Sequence, residues 1–146
     1  MVQVPNTFQS GTIAESAKVN ENFATVTDAI NPTFVFTITG SLTTGTSLTP
    51  TLIVHSSVTI EKVYAYAKTA PTGADILIDI NINGTSIWNV TQANRLTIPA
   101  GASDQAYNQT SFDTTSLSEG DRLTIDLDQV GSTVSGQDLT VELRTS

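Results

Sequence analysis

The sequence predicts a mainly β protein, an antiparallel β-sandwich of about eight strands resembling a jelly roll, preceded by one α-helix. The apolar residues recur with a period of about 3.6 up to Asn31 and with a period of two after Pro32. Clusters of turn-forming residues separate the alternating segments at short intervals, and no helical pattern falls between those segments to connect parallel strands. We therefore divide the chain into an N-terminal arm and helix, residues 1–31, and a sandwich domain, residues 32–146.

The helix is predicted over residues 13–31 because four apolar residues fall on one face of it. Their spacing is four, three and four, and they are Val19, Phe23, Val26 and Ile30. Thr12 and Glu15 have the spacing of a capping box, and Pro32 prevents the helix from continuing. The residues before the helix show no period, so we expect an arm whose order depends on what it contacts.

The strands are predicted from strict alternation of apolar and polar residues. The clearest segments are "TFVFTIT", "DILIDINI", "DRLTIDLDQV" and "DLTVELR", each with one aliphatic or aromatic face and one polar face. The segments "SVTIEKVYAYAKT", "TSIWNV" and "NRLTIP" supply further strands. One-sided alternation of this kind is typical of a sandwich whose outer faces contact water.

The stretch "DINING", residues 79–84, has two interpretations. It matches the first half of an EF-hand calcium loop, but position 12 of that loop would be Val90 instead of a bidentate carboxylate, and the flanks alternate like strands. Asn83 and Gly84 instead suit a type I′ turn joining "DILIDINI" to "TSIWNV". We predict a hairpin and no metal site. Adventitious cation binding by Asp79, Asp126 and Asp128 is an alternative, although such acidic strand faces commonly serve solubility.

Composition and charge exclude several classes of partner. Six Lys and Arg against 14 Asp and Glu give a formal net charge of -8, which would repel a phosphate backbone, so we expect no nucleic-acid partner. The chain has no cysteine and therefore no disulfide or thiolate chemistry. No stretch approaches the roughly 20 apolar residues of a membrane span, and no secretory signal is evident. We expect a soluble protein that is made without export and does not insert into a membrane.

No catalytic pattern is present in the sequence. His55 is the only histidine, and it lies in or beside a predicted strand without a Gly-x-Ser-x-Gly elbow anywhere in the chain. No glycine-rich phosphate loop stands between a strand and a helix. We predict no enzymatic activity and no cofactor.

Four aromatic residues are candidates for contact with a ligand or another subunit. Tyr64 and Tyr66 share one face of a predicted strand, and Trp88 and Tyr107 lie near predicted loops or strand ends. Exposed aromatic rings stack on sugars or anchor protein partners. The pattern also permits the two tyrosines to fill the core side of the sheet, because alanines alternate with them.

The opening segment "FQSGTIAESAKVNENFATVTDAIN" resembles the leader of bacteriophage tail-fibre and appendage proteins. It has a phenylalanine, a bend containing Gly-Thr, and then a helix of the form A-x-x-V-N-x-N-F-x-x-V-x-x-A-I. The segments "APTGADILIDININGTSIW", "ANRLTIPAG" and "SLSEGDRLTIDLDQVGSTVSGQDLTVEL" are similar to a β-sandwich domain of phage virion proteins. The resemblance implies a non-enzymatic virion part assembled from several copies, and it carries no catalytic residues.

The expected function is therefore that of a virion structural protein, an outer-surface appendage or capsid decoration anchored through its arm and helix. It would be assembled in the host cytoplasm as a homotrimer and contact other virion proteins of the capsid, neck or tail. One alternative is a tail-fibre-type adhesin whose sandwich binds a host surface glycan. A second alternative concerns assembly, namely a monomer whose helix folds back onto its own sandwich.

Overall fold

We describe the protein from a computed structural model, which covers residues 3–11, 13–29, 31–102 and 104–146. One helix precedes ten strands. They are α1 (Ser16–Ala29), β1 (Thr33–Ser41), β2 (Leu52–Ile53), β3 (Val58–Thr69), β4 (Ile76–Ile82), β5 (Thr85–Ser86), β6 (Leu96–Ile98), β7 (Tyr107–Gln109), β8 (Ser116–Leu117), β9 (Arg122–Gln129) and β10 (Gln137–Thr145). A single 3-10 turn, Gln92–Asn94, lies between β5 and β6.

The strands form two five-stranded antiparallel sheets. Sheet A has the order β1-β10-β3-β7, with β8 also paired to β3. Sheet B has the order β2-β9-β4-β5, with β6 also paired to β4. The pairings are nested: β1 pairs with β10, β2 with β9, β3 with β7 and β8, and β4 with β5 and β6. The chain thus runs as one antiparallel ribbon folded across two sheets, which is the arrangement of a jelly roll and confirms the predicted fold class.

The core lies between the sheets and is built by the alternating residues that the sequence indicates. Each of the four clearest segments sends its apolar face inwards; the buried members include Phe34, Phe36, Ile76, Ile78, Ile80, Leu123, Ile125, Leu127, Leu139, Val141 and Leu143. Burying one such side chain stabilises the fold by about 1.5–3 kcal/mol. The alternation therefore identifies the inner faces correctly.

A bulge in β3 determines which of its side chains face outwards. The register with β10 shifts between Arg144, which is opposite Lys62, and Thr145, which is opposite Ile60. Glu61 is the extra residue, and after it the alternation resumes with Val63 and Ala65 buried. Lys62 and every second residue after it therefore face away from the core.

The helix begins later than predicted. It starts at Ser16 instead of Ile13, and a helical hydrogen bond runs from the Val19 N–H to the Glu15 carbonyl at 3.1 Å. Glu15 precedes the first turn and forms an ion pair with Lys18 at 3.3 Å. The apolar period alone does not locate the end of a helix, because the first turn has no i−4 partners within the helix. Thr12 of the predicted capping box and Ile30 of the predicted apolar face lie outside the described residues.

The structure confirms the hairpin at "DINING". Asn83 has a φ of 53° and Gly84 a φ of 87°, and the flanking pairs are Ile82 with Thr85 and Asn81 with Ser86. Two successive positive φ values are the requirement of a type I′ turn. The second strand is shorter than expected, because after Ser86 the chain turns inwards and buries Ile87.

Replacing Gly84 with Val should destabilise the protein by about 1–3 kcal/mol, because a β-branched residue resists a positive φ. A Cβ atom at this position would meet nothing within 4 Å, so the loss of stability would come from the backbone conformation alone. Urea unfolding measures the change, with Thr85→Val as the control in the neighbouring strand. Equal unfolding midpoints for the Gly84→Val variant and the parent would contradict the turn assignment.

Candidate functional site

The two tyrosines of β3 lie on the outer face of sheet A. Val63 and Ala65 alternate with them and are buried, whereas Tyr64 and Tyr66 are only half-buried. The structure thus decides a question that the sequence pattern left open. The tyrosine face is a surface of the molecule and is available for contacts outside the chain.

A concavity of about 340 Å³ lies at these tyrosines. Its lining comes from three segments of the chain: Tyr64, Ala65 and Tyr66 of β3, Thr140, Glu142 and Arg144 of β10, and Ala106 before β7. We call this concavity the tyrosine basin. In the register of β3 with β10, Tyr66 is opposite Thr140 and Tyr64 is opposite Glu142. The basin therefore combines two aromatic rings with a small polar floor and one charged group of each sign.

Both rings contact a neighbouring side chain. The Tyr66 hydroxyl donates a hydrogen bond to Asp104 Oδ1 at 2.7 Å, and this bond to a carboxylate, together with burial, raises the pKa of Tyr66. The Lys62 Nζ atom lies 5.0 Å from the centroid of the Tyr64 ring, a cation–π contact. Each tyrosine thus has a contact that favours one orientation.

The outer face of sheet A is less acidic than the chain as a whole. All six Lys and Arg residues fall within the described ranges, and three of them, Lys62, Lys68 and Arg144, lie on this face. Arg144 forms no ion pair with a described carboxylate. An overall charge of -8 therefore does not prevent a neutral or anionic group from approaching this surface.

Trp88 is not a surface residue, which corrects its assignment as a ligand or subunit contact. It is 0% exposed, its Nε1–H donates to the Ser111 carbonyl at 2.7 Å, and its ring lies 5.7 Å from that of Phe112. Tyr107 is half-buried and packs against the core. Trp88 follows the short strand β5, after which the chain turns inwards. A strand of two residues is too short for apolar periodicity to predict this turn.

The polar side chains of "DINING" bond to other parts of the protein. Asp79 Oδ1 accepts a hydrogen bond from the Ser86 hydroxyl at 2.6 Å, and Ser86 in turn accepts one from the Trp88 N–H at 2.9 Å. Asn81 Nδ2 donates to Asp126 Oδ2 at 2.9 Å. Two of the oxygen atoms that a calcium loop would offer, Asp79 Oδ1 and Asn83 Oδ1, thus accept hydrogen bonds within the protein, the latter from the Arg122 N–H at 3.1 Å.

The wet face predicted for β4 is more enclosed than expected. Asp79 and Asn81 are each only 8% exposed, because neighbouring side chains of β5 and β9 cover them. Burial raises the pKa of Asp79. Arg95 forms an ion pair with Asp128 on the same face, so one cation offsets part of the acidic charge. Among the described residues, no three His, Cys, Asp or Glu side chains come together to hold a metal ion.

The arm is bound to the helix by two asparagines. The Asn6 N–H donates to Asn22 Oδ1 at 3.0 Å, and Asn22 Nδ2 donates to the Asn6 carbonyl at 2.9 Å. Asn6 Nδ2 also donates to Glu21 Oε2 at 2.6 Å. The side-chain amide of Asn22 thus pairs with both polar groups of one backbone unit, as a neighbouring strand would. No local sequence pattern indicates this contact.

The apolar face of the helix is largely in contact with solvent in the single chain. Phe23 is 67% exposed, Val26 is 41% exposed, and Val19 is half-buried. The buried core contains no described side chain of the helix. Within the part of the chain that the structure describes, no helix is long and apolar enough to cross a membrane.

His55 is exposed between β2 and β3. Its imidazole makes no hydrogen bond or ion pair with any residue in the described ranges. The geometry thus supplies no partner that would orient it as a general base.

Two comparisons with known proteins, one with family models and one with curated sequences, identify no relative. The chain matches no protein-family model, and no curated protein is significantly similar to it in sequence. The resemblance to phage appendage proteins therefore remains a hypothesis, and functional assignment depends on the geometry described above.

Asp79 of β4 and Asp121, which lies in the turn before β9, should change stability with pH in opposite directions. The raised pKa of Asp79 means that its contribution to stability is present at low pH and is lost as pH rises through the folded-state pKa. The Ser118 N–H and the Asn83 amide lower the pKa of Asp121, so its contribution is present at neutral pH and is lost as pH falls.

Relative to the parent, Asp79→Asn should therefore gain stability as pH rises from about 3 to 7, and Asp121→Asn should lose it. Urea unfolding midpoints at the two pH values measure both changes, and each variant is the control for the other. A shift of the same sign in both variants would contradict the opposite effects of the two environments.

Proposed function

We propose that the protein is a non-enzymatic structural protein of a bacteriophage particle, an outer-surface appendage or decoration protein that attaches through its arm and helix. The observation that carries this proposal is the separation of two apolar surfaces. The buried core consists of sandwich side chains from Phe34 to Leu143, whereas Phe23 of the helix is two-thirds exposed. A sandwich with a complete core does not need the helix for its own stability, so the helix is free to serve attachment.

The exposed helix face favours association with another protein surface. Covering a side chain such as Phe23 or Val26 would gain about 1.5–3 kcal/mol. The four-three-four spacing is that of a coiled-coil seam, but two heptads are too short to associate stably in water without help. We propose a homotrimer in which the helices pack together or onto other virion proteins of the capsid, neck or tail, while the sandwiches also meet.

The hydrogen bonds between arm and helix support the same role. Asn22 links the arm to the helix at Asn6, so residues 3–11 and α1 form one unit at the start of the chain. The leader resemblance noted in the sequence covers residues 8–31, that is, α1 and the end of the arm but not Asn6. Jelly-roll domains occur in viral capsids and also in lectins and cupins, so the fold alone does not select the function.

Deletion of residues 1–31 tests the proposal. The remaining sandwich should fold cooperatively, because the buried core is retained, but it should not co-sediment with phage particles and should self-associate less. Circular dichroism, urea unfolding and sedimentation measure these properties. A truncated protein that unfolds or aggregates would instead indicate a helix that completes the core of a monomer.

A point substitution refines the test. Phe23→Asp places a charge in the apolar helix face and should abolish attachment to particles while leaving the unfolding midpoint unchanged. Val90→Asp is the matched control, because Val90 is also an exposed apolar residue but lies in the sandwich. If Phe23→Asp attaches to particles and sediments like the parent, the helix is not the anchor.

A further inference from the structure

A gap separates the two tyrosines of the basin, because they are residues i and i+2 of one strand. Residues i and i+2 of a strand lie about 6.6 Å apart on one face. Tyr64 and Tyr66 form no ring contact with each other, so they do not close this gap by stacking. The floor beside them is formed by the small residues Ala106 and Thr140.

The walls of this space are positioned before any ligand arrives. The Tyr66 hydroxyl is bonded to Asp104, and the Tyr64 ring is in contact with the Lys62 ammonium group. Rings that already have a preferred orientation lose little side-chain entropy when a ligand binds. Tyrosine also offers a large contact area with few rotatable bonds.

Two charged groups in the basin have hydrogen-bonding capacity that the chain does not use. Glu142 is half-buried, and neither its carboxylate nor the Arg144 guanidinium forms a hydrogen bond or ion pair with any described residue. On the opposite sheet, by contrast, Asp79 and Asp126 both accept hydrogen bonds from neighbours. The Glu142 carboxylate can therefore accept hydrogen bonds from the hydroxyls of a ligand.

We propose that the tyrosine basin binds an uncharged pyranose unit of a saccharide. The sugar ring lies over Tyr64 and Tyr66, whose rings contact its C–H groups. Its hydroxyls donate to the Glu142 carboxylate and accept from Arg144. The pair of opposite charges in the basin leaves no net preference for a charged ligand, which favours a neutral saccharide over a nucleotide. This inference does not depend on attachment of the protein to a particle.

The test uses the purified full chain on a printed array of bacterial surface oligosaccharides, followed by calorimetric titration with the best-bound neutral saccharide. We expect selective, saturable binding that Tyr64→Ala and Tyr66→Ala each weaken by about tenfold or more. Arg144→Ala should weaken binding as well. Arg122→Ala is the matched control, because Arg122 is also exposed on a strand but belongs to sheet B, and it should bind like the parent.

A second variant separates loss of the site from loss of the fold. Thr140→Trp leaves both tyrosines in place and fills the floor between them, and an outward strand position accepts an aromatic residue. It should fold normally and abolish binding. The proposal is overturned if no saccharide on the array binds, or if binding survives Thr140→Trp. It is also overturned if the tyrosine variants change only self-association, since that would make the face a contact between copies.

Discussion

Strand β10 lies between β1 and β3, so the last strand of the chain joins the first strand to the third. Its pairing with β1 extends from Thr33 opposite Arg144 to Ser41 opposite Gln137. Its end is closed by reciprocal hydrogen bonds between Ser146 and Thr59 of 2.9 and 3.0 Å. The Thr145 hydroxyl also donates to the Pro32 carbonyl at 2.6 Å. The first and last strands of the sandwich pair with each other, and the other strand pairs lie between them in the sequence. The two faces of β10 contribute to different parts of the molecule. Leu139, Val141 and Leu143 complete the core, while Thr140, Glu142 and Arg144 line the tyrosine basin.

The outer faces of the two sheets differ in how many of their polar side chains form hydrogen bonds within the protein. On sheet B, carboxylates accept hydrogen bonds from asparagine amides, backbone N–H groups and a serine hydroxyl. Asp126, for example, accepts one from the Ser47 N–H and one from the Asn81 amide. Such a surface has little left to offer a ligand. On sheet A, the basin combines aromatic surface with a carboxylate and a guanidinium that form no hydrogen bond or ion pair with any described residue. Sites for small molecules are concave and combine apolar walls with a few polar groups, which makes sheet A the functional face in our account.

The sequence reveals those parts of this architecture that depend on neighbouring residues. Alternation of period two is a local property, so the inner faces of β1, β4, β9 and β10 and the Asn83-Gly84 turn are all predicted correctly. The tyrosine basin depends on pairs that are distant in the chain. Tyr64 meets Glu142, and Tyr66 meets Asp104, only after β3 has paired with β10 and the loop before β7 has folded over the sheet.

The same distinction explains the errors. Trp88 and Asp79 were expected near solvent, but packing of non-local neighbours encloses both of them. The start of the helix at Ser16 and the bond between Asn6 and Asn22 depend on contacts of the arm, which has no periodic pattern to indicate them. What the sequence does indicate in this region is a helix with an apolar face, and exposure of Phe23 is consistent with a role outside the sandwich.

The central claim is that the sandwich is a complete unit and that the arm and helix add to it without entering its core. A comparison of backbone amide chemical shifts between the full chain and residues 32–146 tests this most directly. We expect the sandwich signals of the two proteins to coincide except for residues close to the cut. These residues include Thr33 and also Thr145, whose hydroxyl bonds to Pro32. Shift changes spread through the buried residues of β3, β4, β9 and β10 would contradict the claim, because they would show that the helix is part of the core.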